Sequence, residues 1–402
     1  MKNTLLIASL FVATAGAVYS LPHTRSKPPI NPTPVVQPLP PIAPPSQNER
    51  PRVEAVFVLD TTGSMSGLIQ GAKENIWSIA RSMASARPTP DLHVGLIGFR
   101  DRGDEYVTRL TDLSTDLDST YAKLMDFEAG GGGDTPESVN QALHEAVTKI
   151  SWSQDKNAYK VIFLVGDAPP HTDYQDDVPY EASIKLASEK GIVVNTIQAG
   201  SDPNTAREWK RIAMLSQGNS LHVAQSGGAV EVATPFDEAL ASLSKELDDT
   251  RLFYGDREDK AKMAAKQAAT SKLHDGGSLA SRAKRAAFNA SAAGEANLYA
   301  GKDLVDAVSK GDVELEALPA AALPEPMQAM APEAQKQLIA ETAERRNEIQ
   351  TKIQDLVAKR ESYIAKEVVG RADADSFDRQ IYDTVRDQAE KKGLKYEEGP
   401  KF

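Results

Sequence analysis

The run Val56-Phe57-Val58-Leu59 ends on an acid, Asp60, and Thr61-Thr62-Gly63-Ser64-Met65 succeeds it at once. Its apolar residues, mostly β-branched or aromatic, predict a buried strand. The strand thus delivers a carboxylate and the hydroxyls of Thr62 and Ser64 onto one tight loop. The carboxyl edge of an open α/β sheet is where ligands bind. All these donors are oxygens, and oxygen donors suit a hard cation such as Mg²⁺.

Strands and helices alternate from here to about residue 254. Strands are expected over 53–59, 92–99, 159–165, 192–198 and 220–224, with an edge strand over 105–110. Helices are expected over 67–87, 117–127, 136–150, 180–190 and 205–216, with a closing helix over 235–252. Pro136 sits in the first turn of its helix, a position that tolerates proline. Alternation of this kind predicts a doubly wound, mostly parallel sheet, Rossmann-like, with helices on both faces. It occupies 53–254, a span suited to one domain.

Composition narrows the partners. A formal charge of −11 and a pI near 5.2 give no nucleic-acid footprint. Cysteine is absent, which excludes disulfides, thiolate zinc sites and cysteine nucleophiles, and the six histidines are scattered. Residues 1–20 resemble an export signal: Lys2, an uncharged apolar run, then small residues at Ala15-Gly16-Ala17. The run falls short of the ~20 residues that span a bilayer. Cleavage places the chain in the periplasm or outside the cell; an uncleaved segment would tether it to the membrane. Residues 21–52 are proline-rich and read as an extended spacer.

After Gly255 the composition shifts to Ala, Lys, Glu, Asp and Arg. A helical region is expected over 255–317, with helices at 260–272, 280–299 and 302–309. An Ala/Pro-rich joint covers 318–331, and a long-helix region 332–402, with a last helix over 373–392. The apolar stripe of the long helix is interrupted by Arg346 and Arg360, which spoils an extended coiled coil. Packing on the chain's own helices or on the α/β domain is favoured over a dimeric coiled coil.

Two further loops belong with the first. Asp167 comes directly after the strand Val161-Ile162-Phe163-Leu164-Val165-Gly166, so in a parallel sheet it reaches the same rim as Asp60. Two adjacent carboxylates repel unless a proton or cation lies between them. Gly130-Gly131-Gly132-Gly133-Asp134-Thr135-Pro136-Glu137 forms a third loop, whose glycines permit close approach and bring Thr135 to the rim. The neighbouring run Arg100-Asp101-Arg102 with Asp104 and Glu105 is expected to be a solvated loop. His171 and Asp173 are expected as rim residues, and Trp77, Trp152 and Trp209 as packing residues.

Together these loops resemble the von Willebrand factor type A domain, in the form of its secreted bacterial members with a metal-ion-dependent adhesion site. Asp60-Thr61-Thr62-Gly63-Ser64 matches the family's Asp-x-Ser-x-Ser, with Thr62 where Ser is usual. Thr135 matches its lone Thr, and Asp167 its later strand-end Asp. The resemblance implies a divalent cation, Mg²⁺ (or Mn²⁺ or Ca²⁺), held by Asp60, Thr62, Ser64, Thr135 and Asp167. One coordination position stays open for a Glu or Asp carboxylate of a protein partner. It implies binding rather than catalysis. Two alternatives stand beside it. Asp60-Thr61-Thr62-Gly63-Ser64 is also similar to the Asp-Lys-Thr-Gly-Thr signature of haloacid-dehalogenase-like phosphotransferases, with Asp60 as nucleophile, though Lys is missing at 61. A structural scaffold with a merely stabilising metal is the other.

Overall fold

In β1 (Arg52–Asp60) alternate residues are buried on opposite sides of the sheet. Val53, Ala55, Phe57 and Leu59 join one core and Val56 and Val58 the other. A strand covered on both faces must be apolar at every step, which explains the unbroken apolar run before Asp60. The computed structural model describes residues 50–133, 135–225, 232–367 and 377–396. The expected export signal, most of the proline-rich spacer and the end of the C-terminal tail lie outside these.

The sheet has six strands in the order β3-β2-β1-β4-β5-β6. β2 (Asp91–Phe99), β4 (Tyr159–Gly166), β5 (Ile192–Ala199) and β6 (Ser220–Val223) run parallel to β1, as expected. β3 (Thr108–Ser114) pairs antiparallel with β2. The edge strand therefore starts later than the expected 105–110, because residues 100–107 turn back to the strand ends: Arg100 N–H donates to Val107 O at 3.0 Å. Strand order reverses at β1, whose neighbours are β2 and β4. Loops leaving β1 and β4 diverge there, and their mouths form the crevice where open α/β sheets bind ligands.

One face is covered by α1 (Ser66–Ala84) and α2 (Leu117–Met125), the other by α3 (Val139–Thr148), α4 (Tyr180–Glu189) and α5 (Pro203–Leu215). The first face is completed from far along the chain. Ile381, Val385 and Ala389 of α12 (Phe377–Ala389) enter the same core as Phe57 and Phe163. Gln388 accepts from Tyr159 Oη at 2.8 Å and donates to Asn195 Oδ1 at 2.8 Å. By contrast α6 (Asp237–Asp249), expected to close the domain, packs on α8 (Leu279–Asn289) and on α11 (Pro332–Glu367).

The expected helix over 280–299 is two, α8 and α9 (Glu295–Tyr299), and the one expected over 302–309 is α10 (Leu304–Lys310). The break between α8 and α9 is at Gly294, which lies against the Phe288 carbonyl with no room for a Cβ. Arg346 and Arg360 are buried. Arg346 forks onto Asp303 at 2.6 and 2.7 Å, and Arg360 binds Asp237 at 2.7 Å. The interruptions in the stripe of α11 are thus its anchoring points on this chain. α7 (Arg257–Gly276) and α8 are fastened to the sheet domain by a buried ionic group. Arg285 lies between Asp118 of α2, at 2.6 and 2.7 Å, and Asp248 of α6, at 2.7 Å, while Lys266 reaches Asp118 at 3.2 Å. Among the described residues no helix is long and apolar enough to cross a membrane.

Candidate metal centre

Asp60 ends β1 with 1% of its surface exposed. Its Oδ1 accepts from the Thr62 backbone N–H at 2.8 Å and from Thr62 Oγ1 at 2.7 Å. Ser64 Oγ lies 3.4 Å from Thr62 Oγ1. Oδ2 of Asp60 is buried and has no hydrogen-bond partner. Burial raises its pKa to about 7; the bonds from Thr62 oppose the rise and the charge of Asp167 adds to it.

Asp167 arrives from β4. A Cβ on Gly166 would come to 3.0 Å from Asp60 Cβ, so glycine is what lets the two strand ends stand this close. The backbone oxygen of Asp167 accepts from Thr205 Oγ1 at 3.0 Å, and its Oδ2 accepts from Gln225 Nε2 at 2.6 Å.

The glycine loop lies against the first loop. Gly63 N–H donates to Gly131 O at 3.3 Å, and Gly130 N–H to Thr61 O at 3.1 Å. Gly132 has φ +73°, and a Cβ there would come to 2.9 Å from Thr62 Cβ. Beyond it the chain does not begin a helix at Pro136. Glu137 N–H donates to Pro169 O at 3.0 Å and its carbonyl accepts from His171 N–H at 3.0 Å, zipping this loop to the one after β4. α3 starts only at Val139. Glu137 is buried, its Oε2 has no partner, and burial with the charges of Asp60, Asp101, Asp104 and Asp167 raises its pKa to about 9.

Asp60, Thr62, Ser64 and Asp167 are therefore brought together. Thr135 is exposed and, among the described residues, makes no hydrogen bond to them. Glu137 comes in instead. Sequence reasoning passed over it as a helical residue, although an acid two positions after the expected ligand Thr135 was the available signal.

Only part of the charge run beside the site is the expected solvated loop: Arg102 and Glu105 are exposed and Asp104 is half-buried. Arg100 and Asp101 are buried. Arg100 donates to Glu128 O at 2.7 Å and to Thr61 O at 3.1 Å, the carbonyl that Gly130 N–H also serves. Asp101 accepts from Ser138 Oγ at 2.7 Å and Tyr174 Oη at 2.8 Å. His171 is buried too, stacked on Tyr174 at 4.1 Å between centroids, with Nδ1 2.7 Å from Asp173 Oδ1. Trp77, Trp152 and Trp209 are buried, as expected.

The donor set fits a hard divalent cation. It offers carboxylate and hydroxyl oxygens, the donors that such a cation takes, and two buried carboxylate oxygens, Asp60 Oδ2 and Glu137 Oε2, have no hydrogen-bond partner. Among the described residues no three acidic or imidazole side chains form a ready-made cage. A site here needs the hydroxyls of Thr62 and Ser64 as well as Asp60 and Asp167.

Residues 54–234 match the family model of the von Willebrand factor A domain. The human von Willebrand factor A domain-containing protein 7 is 36% identical over 117 residues, 28% of this chain and 12% of that protein. An ariadne-like RING finger protein of Acanthamoeba polyphaga mimivirus is 26% identical over 140 residues, 34% of this chain and 13% of that protein. The chain thus matches only about an eighth of the length of these relatives. Among solved structures, the SpRpn10 VWA domain aligns with 44% of this chain and 90% of its own, at 13% identity and a TM-score of 0.34. The sheet domain of this chain, residues 54–234, is a von Willebrand factor A domain.

Proposed function

We propose that this domain is a metal-dependent protein-binding module that works outside the cytoplasm. Domains of its family commonly mediate protein–protein interaction. The observation that carries the metal dependence is Asp60 Oδ2, buried and unpartnered beside the charge of Asp167. Asp60, Thr62, Ser64 and Asp167 would hold Mg²⁺, Mn²⁺ or Ca²⁺, with Glu137 adjoining and Thr135 on the glycine loop as the remaining hydroxyl of the expected set. A divalent cation bound there supplies positive charge at an open coordination position. Because hydroxyls are neutral, a set rich in them leaves the cation attractive to an incoming Glu or Asp carboxylate of a partner. The role of the chain's own side chains is to hold that charge at the rim and to keep one position free.

Binding is favoured over phosphotransfer by the surroundings of Asp173. Its side chain is 73% exposed and engaged by His171, so it offers Asp60 no positioned acid or base. The extracytoplasmic setting rests on the signal-like residues 1–20, and a tether to the membrane on their retention. The test is capture of partners from envelope extract with and without EDTA. Capture that needs Mg²⁺ or Mn²⁺ and is lost in Asp60→Ala supports the reading; capture indifferent to EDTA contradicts it.

A further inference from the structure

Gln225, just past β6, spans two of the loops of the candidate site. Its Nε2 donates to Asp167 Oδ2 at 2.6 Å and to the Ser64 carbonyl at 3.1 Å. One amide thus ties the loop after β4 to the loop after β1. Its other end is seated by Gly200, which has φ +72°; a Cβ there would collide with Gln225 Oε1.

β6, which leads into Gln225, is itself held by α12. His222 N–H donates to Gln380 Oε1 at 3.3 Å, and Gln380 Nε2 returns a bond to His222 O at 2.8 Å. α12 in turn is locked to β4 and β5 through Gln388.

We propose that Gln225 is a positioning residue for the cation site, and that α12 sets its position through Gln380 and β6. The inference rests on the proposed cation site and adds a residue that touches no cation. Hydrogen bonds to a ligating carboxylate orient it, and losing one typically costs about 10–100-fold in metal affinity. Gln225 gives Asp167 such a bond, leaving the other carboxylate oxygen for the metal.

The test is Mn²⁺ titration of the full chain, monitored by electron paramagnetic resonance, with thermal melts in EDTA alongside. Gln225→Met keeps the length of the side chain and removes the donor. It is expected to bind Mn²⁺ about tenfold more weakly with its metal-free melting unchanged, and Gln225→Ala is expected to match it. Gln380→Leu is expected to weaken binding in the same direction. Unaltered affinity in Gln225→Met overturns the proposal, as does a loss seen in Ala but not in Met, which would mean shape rather than donation. Unaltered affinity in Gln380→Leu overturns the link to α12. If the unaltered chain binds no Mn²⁺, the cation reading fails and takes this inference with it; if it binds and the variants match it, this inference alone fails.

Discussion

Thr62 Oγ1 donates to Asp60 Oδ1 at 2.7 Å, while Thr62 Cβ faces Gly132 so closely that a Cβ there would approach to 2.9 Å. The departure from the family's usual Ser therefore has a physical setting. The hydroxyl serves the acid, and the bulk of the side chain lies under the glycine loop.

Thr62→Val keeps the shape and removes the hydroxyl. Asp60 Oδ1 keeps its bond from the Thr62 backbone N–H, and the single buried hydrogen bond that is lost contributes about 0.5–1.5 kcal/mol. Thr62→Val is therefore expected to lose about that much stability and most of its cation binding, whereas Thr62→Ser keeps the donor and changes both little. Denaturant unfolding of the two variants, with and without Mg²⁺, measures this. Equal behaviour of Val and Ser contradicts it.

The acids set a pH dependence. Asp60 and Glu137 have folded pKa values raised to about 7 and about 9, above their ordinary 3.8 and 4.5. A raised acid favours the folded state below its ordinary pKa and gives up that stability as pH climbs through the folded value. In EDTA the domain is expected to lose stability on going from about pH 5 to about pH 9, and Mg²⁺ to restore more at the upper end. Asp60→Asn removes one source of the loss, so its melting in EDTA is expected to depend less on pH. Thermal melts across that range decide the matter; a metal-free chain that gains stability as pH rises through 7 argues against these assignments.

The buried ionic group predicts the opposite behaviour in acid. Arg285 and Lys266 hold Asp118 well below the ordinary carboxylate range, against the opposing effect of its burial. Such a group loses its contribution as pH falls through the lowered value. Arg285→Met removes the cation that Asp118 and Asp248 share, leaving Asp118 to Lys266 and Asp248 to Arg251 and His274, and is expected to cost about 3–5 kcal/mol, the usual penalty for breaking a buried ion pair by removing one partner. Chemical denaturation at neutral pH reads this out, and a loss below about 1 kcal/mol, typical of exposed pairs, is the contrary result.

Because α12 completes the sheet domain, truncating its core residues should weaken the domain itself. Ile381 is 1% exposed, and Ile381→Ala is expected to cost about 2–5 kcal/mol. Leu279, 49% exposed, is the control, and Leu279→Ala should stay within about 0.5 kcal/mol. Hydrogen exchange of β4 and β5 in the Ile381→Ala chain should rise; exchange confined to the C-terminal helices would mean that α12 is not part of the domain's core.

The parallel sheet was legible because its signals are local. Each strand is an apolar run bounded by turn residues, and Asp60 and Asp167 stand at strand ends where the run stops. Glu137 was missed because Pro136 reads as a helix start, while the bonds that keep Glu137 out of the helix come from Pro169 and His171, on a loop about thirty residues away. Arg346 and Arg360 read as faults in a stripe because their partners, Asp303 and Asp237, lie 43 and 123 residues distant. The same holds for α12, whose docking site is built from strands over 150 residues earlier. Pairing across such distances leaves no trace in periodicity or propensity, so these contacts are visible only once the chain is folded.

Titration calorimetry of Mg²⁺ into the metal-free chain and into Asp60→Ala measures whether the loops after β1 and β4 hold a divalent cation. The expected result is one saturable site in the unaltered chain, competed by Mn²⁺ and absent in Asp60→Ala. A chain that shows no saturable site, or an Asp60→Ala chain that binds as the unaltered one does, contradicts it.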